Sequence, residues 1–264
     1  MTDPHMTHPH MTHPPDRLRR FAAAERWVHH ATALLMLVCL VTAALLYVPA
    51  LSAAVGRRDL LKPLHVWAGY ALPLPVLFGL ASEAFRRDLR RLDRFTAHDR
   101  DWLRRGDRRA VVRAGGLERG VVPVGKFNAG QKLNAAFTAG AILVLLGTGT
   151  IMTFPDPWPD RWRTGATFVH DWLFLLVLAV TVGHLWYALR DRGALGAMVT
   201  GRVDRAWAAR HHAGWLDELD RRAGVHEPGG TEPMGRSDAY PERHAPERPG
   251  EPPENVLKTP PDRS

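Results

Sequence analysis

Cysteine is almost missing from this chain, with one residue, Cys39, among 264. A single thiol excludes an internal disulfide, and no CxxC pair or cysteine cluster is present to hold zinc or an iron–sulfur centre. Any such cluster that serves the protein has to come from a partner. The CxxCH signature of covalently attached haem is missing as well. Charge is missing from Trp27 to Val55, a run too long for the apolar core of a secretory signal. No small-residue cleavage site with a soluble domain behind it follows, so the run reads as a membrane span and not as a cleaved leader. Acidic residues are the minority sign, which leaves a formal net charge of +8. Basic residues beside a membrane account for that excess, and no nucleic-acid partner is needed to explain it.

What the chain does have is apolar blocks. The mean hydropathy of -0.20 averages them with very polar flanks. Four stand out, at residues 27–51, 64–81, 133–154 and 167–189, and each approaches the roughly 20 residues that a helix needs to cross a bilayer. The second contains Pro73 and Pro75, which predict a kink. The third contains Gly140, Gly147 and Gly149, small residues that let helices approach closely. The expected fold is therefore an all-α membrane protein, a bundle of four transmembrane helices.

Four spans put both termini on one side. Arg17, Arg19, Arg20 and Arg26 precede the first span, Arg190, Arg192, Arg202, Arg205 and Arg210 follow the last, and the loop between spans two and three is the most basic region. The positive-inside rule then predicts cytoplasmic N- and C-termini in a multi-pass protein of the cytoplasmic (inner) membrane, its basic flanks against lipid. Residues 1–22, with His5, His8, His10 and His13, read as a disordered tail. Residues 23–220 read as the membrane domain, with a cytoplasmic loop at 82–132. The Pro-, Gly- and Glu-rich stretch 221–264 reads as a second disordered tail.

Histidine carries the functional signal. His170 and His184 lie fourteen residues apart on one apolar block, which on a helix is a rise of about 21 Å and a rotation about 40° short of four turns. Both imidazoles thus leave one helix face, at two depths. His29 and His65 open two other blocks. Ionisable groups inside a membrane are costly and are kept for function. Matching depths pairs His29 with His184 and His65 with His170, as two bis-histidine haems would require. His30 points about 100° away from His29 and reads as a neighbour. His98, His211 and His212 read as solvated or facing a partner, and Asp171 as lying in headgroup water. Asn128 and Gln131, amides just before the third block, could face a bound ligand.

The chain resembles a known family, the gamma (cytochrome b) subunit of respiratory formate dehydrogenase. The resemblance covers roughly residues 17–220. It rests on Glu-Arg-Trp-Val-His at 25–29, Leu-His-Val-Trp-Ala-Gly at 64–69, Gly-Lys-Phe-Asn-Ala-Gly-Gln-Lys at 125–132, the spacing of His170 and His184, and Arg-Ala-Trp-Ala-Ala-Arg-His-His-Ala-Gly-Trp at 205–215. It implies two haem b groups with iron ligands at His29, His65, His170 and His184. It also implies a site for a quinone, menaquinone in the first instance, at Asn128, Gln131 and His184. The implied partners are an iron–sulfur subunit and a molybdenum- or tungsten-pterin catalytic subunit. In such a complex this chain is a non-catalytic electron-transfer subunit that hands electrons to the quinone pool. Pro73, Pro75, Asp171 and the two tails depart from the family pattern. A cytochrome b serving a hydrogenase or another molybdenum oxidoreductase fits the same histidines. A haem-free transporter or a membrane anchor is the alternative of another class, although transport sites gather near the midplane whereas these histidines lie in two layers.

Overall fold

The computed structural model describes residues 16–105 and 124–224. The His-rich tract at 1–15, the stretch 106–123 of the long loop and the tail from 225 onward lie outside the described residues, and with them most of the expected disordered segments.

The chain begins with a short strand, β1 (Arg17–Arg19), and enters the first long helix, α1 (Ala23–Tyr47). The Glu25 side chain accepts the Ala22 backbone N–H at its start, which satisfies one of the donors that every helix leaves open. The apolar block runs on to Leu51, but α1 stops at Tyr47. Val48 is extended, and Pro49 opens a separate short helix, α2 (Pro49–Val55), because proline donates no hydrogen bond to a continuing helix but suits the first turn of a new one. The second block is broken where its prolines predict. Helix α3 (Arg58–Ala71) ends before Pro73, and α4 (Leu74–Gly79) starts just beyond.

The long loop is not irregular throughout. It holds α5 (Glu83–Asp93), which departs from the α3–α4 segment at 108°, and α6 (Ala97–Arg105). Two long helices follow, α7 (Ala129–Thr153) and α8 (Asp160–Arg190). Among the described residues three helices, α1, α7 and α8, are long and apolar enough to cross a membrane. A fourth span is reached only if the bent run of α3, α4 and α5 counts as one.

Helix α7 packs along α8, and α1 along α3 and α4. Met36, Cys39 and Leu40 of α1, Ala68 of α3, Ala141 and Ile142 of α7, and Phe174 and Val177 of α8 meet in the core, together with Leu72. The Tyr70 hydroxyl ties α3 to α7 by donating to Thr150 Oγ1 at 3.1 Å. Leu34, Leu37, Leu143, Val182 and Trp186 point outward. An apolar surface this extensive is what a hydrocarbon environment wants and water does not.

Past α8 the chain folds back as α9 (Arg192–Thr200), the strand β2 (Arg202–Asp204), α10 (Arg205–His211) and α11 (Ala213–Arg222). Strand β2 pairs antiparallel with β1, Leu18 opposite Val203. These two residues join Ala197, Trp207, Ala208 and Trp215 in a second apolar cluster. The described chain is mostly helical, as expected, and the short β1–β2 pair is added to it; residues 17–22 take part in this folded cap. A three-residue strand has no periodicity to read, and this one exists only because β2 supplies its partner. At the joint, Gly201 has φ +78°, and a Cβ there would stand 2.6 Å from the Phe21 carbonyl oxygen, so a side chain is excluded on both counts. The Gly201 carbonyl accepts the backbone N–H of Arg20 at 2.8 Å and of Phe21 at 3.1 Å.

Candidate functional site

The four histidines converge as two pairs. His65 of α3 faces His170 of α8 with ring centres 6.2 Å apart. His29 of α1 faces His184 of α8 with ring centres 6.4 Å apart. Because α8 runs unbroken through both positions, the pairs lie at two levels. The near pair, His29 and His184, stands beside the folded cap, and the far pair, His65 and His170, lies toward the other end.

Their surroundings differ. The far pair is half-buried and lines a partly open cleft, with Met36, Gly69, Tyr70, Gly149 and Phe174 among its walls. Gly149 gives His170 its room, since a Cβ at that position would lie 3.4 Å from the ring's Cε1. Both far rings are held by hydroxyls: Thr42 Oγ1 lies 2.9 Å from His65 Nδ1, and Thr148 Oγ1 lies 2.9 Å from His170 Nδ1. The near pair is exposed on the side of the bundle. His30, beside it, turns away and meets the Met198 carbonyl of α9 at 3.1 Å, in keeping with its reading as a neighbour.

The Gly-Lys-Phe-Asn-Ala-Gly-Gln-Lys segment is a knot of structural contacts. Asn128 and Gln131 cap α7 reciprocally: Asn128 Oδ1 accepts the Gln131 N–H at 2.8 Å, and Gln131 Oε1 accepts the Asn128 N–H at 3.0 Å. Only their amide NH₂ groups are left for a ligand. Lys126 Nζ bonds the Asp88 carboxylate and lies 3.7 Å from Glu25, all three side chains being about nine-tenths buried. Lys132 pairs with Asp99 at 2.7 Å. Gly130 lets the Trp102 ring of α6 come close, with a Cβ there 3.4 Å from it. Asn128 also lines a second cleft with Arg91, Arg94, His98 and Trp102. His29 and His184 do not line that cleft.

His212, expected to be solvated or at a partner surface, is buried at 3% exposure. Its Nε2 meets an Arg20 guanidinium nitrogen at 2.9 Å, and its Nδ1 meets the Gly125 carbonyl at 2.7 Å. An imidazole that accepts from an arginine at one nitrogen and donates from the other is neutral. Burial, and then the Arg20 charge, push its pKa down to about 3. Burial likewise pushes Arg20 down to about 10. His212 misled because Arg210 and His211 beside it are polar, whereas two of its partners come from distant parts of the chain, Arg20 just after β1 and Gly125 in the segment ahead of α7.

These features define a class before they define a relative. The prokaryotic cytochrome b561 family matches residues 20–201, and the chain belongs to it; with its long apolar helices it is a membrane cytochrome b. Among curated relatives, it is 31% identical over 109 residues to the Escherichia coli K12 "Formate dehydrogenase, nitrate-inducible, cytochrome b556(Fdn) subunit", a match covering 40% of this chain and 50% of the relative. In that alignment the chain spans about half the relative's length. It is 27% identical over 212 residues to the "Formate dehydrogenase, cytochrome b556(fdo) subunit" of the same strain, covering 77% of this chain and 94% of that one. The expected resemblance to formate dehydrogenase cytochrome b subunits is borne out.

Membership implies haem b, and the far and near pairs fit it. A metal–imidazole bond is about 2 Å, and the ring centre lies about 1.1 Å behind the nitrogen, so imidazoles on opposite sides of one iron stand roughly 6.3 Å apart, centre to centre. Both pairs have that separation. The open space at Gly69, where an added Cβ would meet nothing within 4 Å, fits a bulky planar group beside the far pair. Thr42 and Thr148 were not singled out from the sequence, and Gly149 was read there only as a small residue that lets helices approach. A threonine in an apolar helix satisfies itself on the preceding turn, so its type does not announce a second partner.

Proposed function

We propose that this chain is the di-haem cytochrome b subunit of a formate dehydrogenase and carries electrons from an iron–sulfur subunit to quinone in the cytoplasmic membrane. The observation that carries the reading is the recurrence of one imidazole separation, 6.2 Å and 6.4 Å, at two levels of one bundle. His65 and His170 would hold one haem b, and His29 and His184 the other. Bound there, the haems would supply one-electron iron chemistry, while the protein sets their orientation and surroundings.

The remaining features support a layout. With the bent run that begins at α3 counted as one span, α1, that run, α7 and α8 would make four, and the positive-inside rule applied to the arginines at the capped end favours a cytoplasmic location for that end and for both termini. The half-buried far pair then faces the outer side, where the iron–sulfur subunit and its molybdenum- or tungsten-pterin catalytic partner would dock. The near pair is open laterally, and a quinone arriving through the lipid can reach it without unfolding the bundle. The amide NH₂ groups of Asn128 and Gln131, freed of no capping duty by acting as donors, are suited to a quinone carbonyl at the cytoplasmic face, menaquinone being the expected quinone.

The test is a dithionite-reduced minus oxidised visible spectrum of the purified protein, with haem quantified per chain. The expected result is about two b-type haems, with about one retained in His170→Ala and in His184→Ala. A folded, membrane-inserted preparation that binds no haem would overturn the reading.

A further inference from the structure

Thr42 and Thr148 stand in the same relation to the two far histidines, from two different helices. Each hydroxyl sits over the carbonyls one turn back along its own helix. Thr42 Oγ1 donates to the Val38 carbonyl at 2.7 Å, with the Cys39 carbonyl at 3.1 Å. Thr148 Oγ1 donates to the Val144 carbonyl at 2.8 Å, with the Leu145 carbonyl at 3.3 Å. A hydroxyl has one proton, and a carbonyl has none to give. An imidazole that keeps Nε2 for iron carries its proton on Nδ1, and a hydroxyl whose own proton turns toward the backbone offers it lone pairs, so in the haem-loaded protein His65 Nδ1 and His170 Nδ1 are the donors across their 2.9 Å contacts. Each far ring is thereby held as the Nδ1–H tautomer. Thr42 is itself 3% exposed, so water does not compete for the bond. No threonine or serine hydroxyl meets His29 or His184 among the described residues.

We propose that Thr42 and Thr148 are positioning residues of the far pair, fixing the rotation and tautomer of His65 and His170 and making that haem harder to reduce. The second clause follows from the direction of the bond. An acceptor at Nδ1–H pushes electron density onto the imidazole and raises its basicity as a ligand. A hydroxyl already donating to a carbonyl is a stronger acceptor than a free one. A more basic ligand favours ferric over ferrous iron. No threonine or serine hydroxyl among the described residues does this for the near pair, so the device belongs to the far level of the bundle. The inference rests on the di-haem reading above.

The experiment is a potentiometric titration of the purified haem-loaded protein, with electron paramagnetic resonance of the oxidised form, for Thr42→Val, Thr148→Val, the double variant and Thr42→Ser. His65→Ala identifies the far component as the one it removes. The expected result is a more positive midpoint for the far haem in each valine variant, a larger rise in the double, an altered low-spin signal for that haem, an unmoved near haem, and wild-type behaviour in Thr42→Ser. Unchanged potentials and signals in the double valine variant, or a fall of the far midpoint, would overturn the proposal. If Thr42→Val sheds the far haem, the serine variant decides: full haem at the wild-type potential supports the proposal, and haem loss there overturns it. A His65→Ala protein that keeps both haems would instead show the ligand assignment itself to be wrong.

Discussion

The two histidine pairs share a separation and a helix, yet they are built differently. The far pair is half-buried, has both rings held by hydroxyls, and relies on Gly149 and Gly69 for space. The near pair is open to the side and stands beside a cap with an apolar cluster of its own, assembled from both ends of the membrane domain. With a haem bound at each pair as proposed, similar imidazole geometry in dissimilar surroundings would give two identical cofactors different properties. The protein's levers are hydrogen bonding to the ligand and access from outside.

The strongest break of this comparison uses the pairing itself. His65→Ala with His184→Ala takes one ligand from each pair and is expected to remove essentially all haem, whereas His65→Ala with His170→Ala should leave about one per chain. Haem content measured on the two double variants decides whether the pairs are independent. Lys126→Ala acts on the near end: it leaves the buried carboxylates of Asp88 and Glu25 without their cation. Breaking a buried pair from one side costs about 3–5 kcal/mol. A clear drop in Tm is expected, and near-haem loss should precede far-haem loss on heating.

Gly149→Leu acts on the far end. Its side chain would grow toward His170 Cε1 from a Cβ already at 3.4 Å, so far haem should fall by more than half with near haem intact, while Gly149→Ala stays close to wild type. Spectra of the two variants check this.

Acidification should also separate the pairs. His212 is held neutral, its pKa pushed from the ordinary 6.5 down to about 3. The unfolded chain takes a proton below 6.5 and the folded cap does not. The stabilisation is therefore complete above pH 6.5 and is lost as pH falls toward 3, about 2 kcal/mol of it between pH 7 and pH 5. Thermal unfolding at the two pH values, beside His212→Gln, would show the effect and its flattening, with the near pair disturbed first. The smallest effect is expected for Asn128→Ala, about 1 kcal/mol for a lost helix cap, with both haems retained; thermal unfolding and a haem assay measure both.

The sequence made the far-reaching relationships of the histidines legible because fourteen residues on a helix is a geometric statement. The helix break at Pro73 was legible for the same reason, since proline acts through its own bonds. The Asn128 and Gln131 signature was visible but has a local explanation: asparagine followed three positions later by glutamine is a helix-start pattern, and the structure uses it as one. His212 and residues 17–19 were not legible, because what orders them is contact across most of the chain's length. Thr42 and Thr148 were hidden differently. Each looks complete within its own helix, and only a histidine from another helix gives it a second task.

The pairing of β1 with β2 also fixes an order of events during synthesis. Arg17–Arg19 emerge early, but their hydrogen-bond partners at Arg202–Asp204 are made only after the last long helix. The first strand must wait, unpaired, while every apolar helix is threaded into the bilayer. The pairing can form only once the chain has been made past α8, and a truncated product ending within α8 lacks the strand that would complete it.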